Sequence, residues 1–281
     1  FVDWLHARNA GLKFTQRTAF HGLDLYSLHS SIRAVLKYLD EVDPHTARVA
    51  RLRYGCLTPW QTDPATYGQA ALTGQYRTCE DEVVAVLVDL QQKQRAYAEH
   101  DGERFLDATQ NALLVTNAEQ YYRVMYYGSR ASWNLRDGHM FETLQNLLRH
   151  YGPESRGIVW AHNSHVGDAS ATEMSKRGEY NIGQLCRNHF GLDAYSIGFG
   201  THSGTVAAAS DWDGPMLVKD VRPSLEKSYE RLFHAAGVSH YFEAVLPRQF
   251  DEYVWFDQTC AVTPLDSSEV KGAPDTYPFG I

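Results

Sequence analysis

The sequence predicts an α/β fold, and three stretches carry that prediction. Arg156–Ala161 (RGIVWA) is a short apolar run behind the Gly152-Pro153 break, the pattern of a buried strand. Asn181–Phe190 reads as a helix that stops at Gly191, and Ala194–Phe199 (AYSIGF) is a second buried-strand run. Strand, helix and strand in that order imply a parallel pair joined by a right-handed crossover.

The remaining elements follow from the same signals. Residues 1–10 read as a helix. Thr18–Leu25 (TAFHGLDL) reads as a short strand ending in a loop. Ser30 and Ser31 cap a helix whose apolar face is Ile32, Val35, Leu36 and Leu39. Pro44 opens the next helix, to about Tyr54. Residues 55–77, rich in Gly, Pro, Thr and Gln, read as a long loop of the kind that covers binding sites. Glu80–Glu99, Glu103–Tyr127 and residues 139–151 are three further helices. Thr205–Ala209 and Val254–Phe256 are additional strand candidates.

With 281 residues, 43% hydrophobic and 21% charged, the chain has ordinary globular composition. It is long enough to bury a core without staples. The net charge of −8 argues against a general nucleic-acid or anionic-membrane surface. The longest aliphatic run, Val83–Val88, is far too short to span a bilayer, and no signal peptide is visible. Cys56, Cys79, Cys186 and Cys260 form no CxxC pair, so neither a disulfide framework nor a structural zinc pattern is expected, and a reducing cytoplasm is the default. The opening Phe1-Val2-Asp3-Trp4-Leu5 reads as the middle of an amphipathic helix, so the chain is expected to be less than a whole protein.

The chemistry concentrates at Ala161-His162-Asn163-Ser164-His165-Val166-Gly167-Asp168, directly after the first buried-strand run, where open α/β sheets bind ligands. Histidine suits proton transfer near neutral pH. The bland alternative is that one imidazole caps backbone and the other is solvated. A metal alternative uses His162, His165 and Asp168 as N, N and O ligands. No HExxH occurs, and no GxSxG elbow marks a nucleophilic serine. Gly198–Gly204 has the wrong glycine spacing for a dinucleotide fingerprint and reads as a tight loop, with His202 and Ser203 as candidate lining. In Trp133–Met140, Asp137 reads as a helix N-cap and Arg136 either as its ion-pair partner or as a steering group for a substrate oxygen. Asp24 binds polar groups or braces its loop. Ser210–Pro215 reads as a turn. Tyr121, Tyr122, Tyr126, Tyr127 and Trp133 suit either a ligand wall or an ordinary helical core.

AHNSHVGD at 161–168, WNLRDGHM at 133–140, GLDLYSLHSSI at 22–32 and GFGTHSGTVAAASDWDGP at 198–215 together resemble the erythromycin esterase family. The resemblance covers nearly the whole chain. It implies a three-layer α/β domain with a mainly parallel central sheet and a helical insertion over about 30–130. It implies a hydrolase that cuts a carboxylic ester or macrolactone by histidine-assisted, metal-independent attack of water, with no cofactor. His162 and His165 match the family's paired histidines, while Arg136 matches an arginine near the cleft. Asp24 and Asn163 join Arg136 as expected substrate contacts. The partner expected is a small ester or macrolide-like molecule, with no nucleic acid and no membrane.

The family also has a Gly-Glu-x-x-His-Gly motif after its first strand, whose histidine is usually regarded as general base. The chain has no such motif upstream of Phe1. Roughly a hundred more residues are therefore expected before it by βαβ spacing, and weak or absent turnover without them. A second expected gap lies near Gly237, where Tyr229–Gly237 runs almost directly into Ser239-His240-Tyr241-Phe242. Impaired catalysis leaves open a non-catalytic ligand-binding homologue.

Overall fold

The computed structural model describes residues 1–13, 16–210, 215–235 and 245–263. The expected gap near Gly237 and most of the Ser210–Pro215 turn lie outside the described residues.

Helices dominate the first half. After α1 (Val2–Asn9) the chain runs without a strand through 18–27, so the expected Thr18–Leu25 strand is absent; Leu25 and Leu28 instead anchor the segment in the helical core. Next come α2 (Leu28–Val42) and α3 (Pro44–Tyr54). Ser27, not Ser30, stands at the start of α2. Asp43 ends one helix and starts the next. Its carboxylate accepts from the Thr46 N–H at 3.1 Å, from Lys93 Nζ at 2.6 Å and from the Tyr97 hydroxyl at 2.8 Å. These bonds, led by Lys93, hold its pKa well below the usual carboxylate range.

The stretch 55–77 is no open loop. It folds as a 3-10 helix (Gly55–Trp60) and α4 (Pro64–Leu72), with Tyr67 buried. Pro64 after the Asp63 cap starts a helix that composition alone reads as coil. A disulfide joins Cys56 to Cys79, with Cα atoms 6.0 Å apart, where the sequence shows no sign of disulfide pairing. Their spacing of 23 residues carries no signal, because the folded path of α4 brings the two together.

Helix α5 (Glu80–Gln92) ends earlier than expected, and α6 (Gln94–Val124) follows at once. The extended backbone of Asp101 breaks α6, and its carboxylate caps the Arg104 N–H at 3.1 Å to restart it. Val35, Leu39, Leu57, Val83, Val86, Leu90 and Val115 form the main core among these helices.

Helix α7 (Ser129–Tyr151) crosses to the second half, where α8 (Asn163–Val166) and α9 (Ile182–Phe190) follow it. Met140, Leu144 and Ile182 make a smaller core there, with Val159 packed on it. Among the described residues the sheet has three strands in the order β2-β1-β3: β1 (Ile197–Ala208), β2 (Leu217–Asp220) and β3 (Glu252–Thr259). Strand β1 pairs parallel with β3 from Ile197↔Glu252 to Gly204↔Thr259, and antiparallel with β2 from Thr205↔Asp220 to Ala208↔Leu217. Short helices α10 (Tyr229–Ala235) and α11 (Leu246–Gln249) complete the described chain.

Among the described residues the fold is thus mixed α/β with a small mixed sheet, and the expected three-layer arrangement around a mainly parallel sheet is not seen there. The parallel pair is β1 with β3, not Arg156–Ala161 with Ala194–Phe199. Residues 156–161 carry no strand: Val159 turns inward, while Ile158 is 96% and Trp160 94% exposed. An apolar run marks a buried strand only where neighbouring strands and covering layers enclose it. The expected glycine loop at 198–204 is instead the body of β1, where Gly198 and Gly200 make room for the Tyr253 ring.

Candidate active site

Three pieces of chain meet behind His165: the turn 161–168, the middle of α7 and the start of α9. The turn is tied down on several sides. His162 Nδ1 accepts from the Ser164 N–H at 3.2 Å and so caps α8. The Asn163 amide spans to β1, donating to the Phe199 carbonyl at 2.5 Å and accepting from the Phe199 N–H at 3.1 Å. Asp168 caps the Ser170 N–H at 2.9 Å. The Asn181 amide donates to the carbonyls of Ser164 (2.7 Å) and Gly167 (2.6 Å), so the residue that caps α9 grips the turn. Gly183 permits that grip: a Cβ there would stand 2.3 Å from the Val166 carbonyl oxygen.

His165 is buried, with its ring stacked on Trp133 at 4.6 Å and 5°. Trp133 is itself fixed by its indole N–H, which donates to the Tyr180 carbonyl at 2.7 Å. Nδ1 of His165 lies 3.0 Å from both oxygens of Asp137. Asp137 is not the helix cap read from sequence. It sits inside α7, fully buried, and also accepts from the Ile182 N–H at 2.9 Å. Burial raises its pKa, opposed by the bonds and charge of His165, the Ile182 amide and Arg136. Nε2 of His165 is buried and makes no hydrogen bond to the described residues.

One residue earlier, Arg136 turns the other way. Its partner is Asp24, not Asp137: Nε donates to the two carboxylate oxygens at 3.0 and 3.2 Å, and Nη2 donates at 2.6 Å. The guanidinium also lies 4.8 Å from the centre of the Tyr26 ring. Burial works against its charge, but Asp24 more than offsets this and raises its pKa. Asp24 forms part of the wall of a cavity of about 470 Å³, together with His21, Glu103, Asp107, His139 and Tyr151. Sequence reasoning missed His139 and His21. His139 is legible only in hindsight, one turn after Arg136 on α7. Burial lowers its pKa to about 4, against a pull upward from Asp24, and its Nδ1 lies 2.9 Å from the Asn117 amide. His21 pairs with the Tyr151 hydroxyl at 3.0 Å.

Of the expected residues, then, Asp24 and Arg136 bond to each other at the cavity, while His162, Asn163 and His165 share the turn. The metal set does not assemble. Asp168 and His162 use ligating atoms on backbone caps and His165 Nδ1 faces Asp137, and no group of three metal-ligating side chains converges among the described residues. His202 faces Ser224 at 2.8 Å and stacks on His234. Tyr122 belongs to the helical core, and none of the five candidate aromatics lines the cavity.

The model of the family described as erythromycin esterase matches residues 1–239. The chain belongs to the erythromycin esterase family. Solved structures agree in fold. A succinoglycan biosynthesis protein superposes with a TM-score of 0.72 at 16% identity, covering 92% of this chain and 69% of its own. A Bacillus cereus protein gives 0.67 at 19%, covering 83% of this chain and 55% of its own. A mutant of the erythromycin esterase EreC in its open conformation gives 0.64 at 15%, covering 92% and 72%. This erythromycin esterase family member therefore spans little more than half the length of the Bacillus cereus protein. No described helix is long and apolar enough to cross a membrane.

Proposed function

We propose that the protein is a hydrolase that cleaves a carboxylic ester or macrolactone by histidine-assisted attack of water. One observation carries the reading: a buried imidazole, His165, is clamped through Nδ1 while its Nε2 makes no hydrogen bond to the described residues. A buried, unpaired lone pair is costly, and such groups cluster where a reaction uses them. His162 stands one helical turn earlier. Because its Nδ1 accepts from the Ser164 N–H, its proton resides on Nε2.

The two imidazoles then offer opposite functions. Nε2 of His165 takes a proton from water as the water oxygen bonds to the ester carbonyl carbon. The Nε2–H of His162 hydrogen-bonds to the developing oxyanion, and the imidazolium of His165 passes its proton to the leaving oxygen. The ester C–O bond breaks, and the products are a carboxylic acid and an alcohol. The cavity walled in part by Asp24, which neither His162 nor His165 lines, is a candidate binding site for the rest of the molecule, and a small ester or macrolide-like compound is the candidate substrate. Cytoplasmic location and a contribution to antibiotic resistance belong to the same proposal.

Incubating the full natural protein with erythromycin and with simple aryl and alkyl esters, followed by mass spectrometry, tests this. Addition of one water to any of them, lost in His165→Asn and reduced in His162→Ala, is the expected result. No product from any ester, or turnover unchanged in both variants, overturns it.

A further inference from the structure

We propose that Asp137 is a positioning residue that fixes the tautomer of His165, holding the proton on Nδ1 and leaving Nε2 as the bare nitrogen. The catalytic consequence rests on the hydrolase reading above; the tautomer itself does not.

The geometry allows one economical protonation pattern. Both carboxylate oxygens of Asp137 lie 3.0 Å from Nδ1. A carboxylate only accepts, so Nδ1 must donate. In a neutral imidazole the other nitrogen then carries the lone pair. Nε2 meets no donor among the described residues that could reverse the assignment. The carboxylate cannot swing away either. The Ile182 N–H donates to its Oδ1 at 2.9 Å, so the first residue of α9 pins it. The imidazole is pinned in turn by the parallel face of Trp133, whose indole is bonded to the Tyr180 carbonyl. Tilt and translation of the ring are therefore fixed by the stack, and its rotation by Asp137.

Placement on α7 gives the pair a second connection. Arg136 and Asp137 are adjacent but diverge, one to Asp24 at the cavity and the other to His165 at the turn. One rigid helix thus sets the distance between the candidate substrate anchor and the candidate proton acceptor. A site built on a helix holds such spacing better than one built on loops.

Asp137→Asn separates positioning from mere packing. The Ile182 N–H needs an acceptor and claims the oxygen of the new side-chain amide. The NH2 group of that amide then faces Nδ1, which must become the acceptor, and the proton moves to Nε2. Shape and burial are nearly unchanged while the tautomer inverts.

The test is nitrogen-15 NMR of the imidazoles in the full chain, with His165→Asn to assign the signal. The expected result is a protonated Nδ1 and a bare Nε2 in the natural sequence, and the reverse in Asp137→Asn. A natural sequence showing Nε2–H, or an Asp137→Asn variant with unchanged tautomer, overturns the proposal. The first of these needs no variant at position 137 to fold. Where an ester is turned over, Asp137→Asn is expected to lower kcat by on the order of 10³-fold with little change in KM. A kcat unchanged beside an inverted tautomer overturns the catalytic half. If no ester is turned over but the tautomers behave as expected, the hydrolase reading fails and the positioning role of Asp137 stands.

Discussion

Asp137 and His165 are 28 residues apart in sequence and belong to different elements, yet Nδ1 of the imidazole is equidistant, at 3.0 Å, from both oxygens of the carboxylate. That symmetric contact is the point at which α7, the 161–168 turn and the start of α9 become one unit. Removing or crowding any of the three should therefore be felt in the others.

The first consequence concerns the closeness of α9 to the turn. A Cβ on Gly183 would stand 2.3 Å from the Val166 oxygen and 2.5 Å from the Gly167 oxygen, both of them backbone. Backbone cannot step aside as a flexible side chain does. Gly183→Ala is expected to lower stability by about 2 kcal/mol or more in urea denaturation, as overpacking does. Gly102→Ala, where a Cβ meets nothing within 4 Å, is the helix control and should be neutral or mildly stabilising.

Arg136 is nearly buried and uses its fork on Asp24. Lysine keeps the charge but not the two-pronged geometry. Arg136→Lys is therefore expected to cost about 2 kcal/mol, also read by urea denaturation, and to weaken binding of any ligand in the cavity that Asp24 lines. A loss below about 0.5 kcal/mol would show that the fork geometry is unimportant.

His139 makes stability depend on pH in a defined window. Its folded pKa of about 4 lies below the ordinary histidine value of 6.5, because burial disfavours the charged ring. Between those values the unfolded chain binds more protons, so stability rises with pH. The contribution is complete above pH 6.5 and is lost as pH falls towards 4, on the order of 3 kcal/mol in all. Thermal melts in steps from neutral pH down towards the folded pKa should show the loss, and His139→Gln should flatten it over that range.

The Cys56–Cys79 bond closes a loop whose ends are 23 residues apart and which contains α4. Loop-closure entropy assigns such a link about 3 kcal/mol. Cys79→Ser, or reduction by dithiothreitol, is expected to lower the unfolding midpoint accordingly. Cys186→Ser, at a free thiol, should leave the response to reduction unchanged.

Much of the helical half is legible in the sequence. Pro44 marks the start of α3 and its extent to about Tyr54, because a fixed proline φ acts locally, and the structure adds the capping carboxylate of Asp43. Asn181 and Gly191 likewise bracket α9, since both signals lie within one turn of the helix ends. Reading 55–77 as loop fails because Gly, Pro and Thr report backbone preference, while burial of Tyr67 decides the outcome. The paired histidines stand out by their position behind an apolar run. Their partners do not, since Asp137 resembles any surface cap until its helix is known to start eight residues earlier, at Ser129.

Near neighbours and total composition suffice for a globular α/β chain, most helix positions, the His162–His165 turn and the family to which those motifs point. Which carboxylate serves which basic side chain was settled by tertiary packing alone. It sent Arg136 to Asp24 and Asp137 to His165, joined Cys56 to Cys79, and left Ile158 and Trp160 facing outward where an apolar run promised burial. The reason is physical. Propensity and capping act over a few residues, whereas desolvation and ion pairing depend on which distant segments come within about 3 Å of each other, a property of the packed chain.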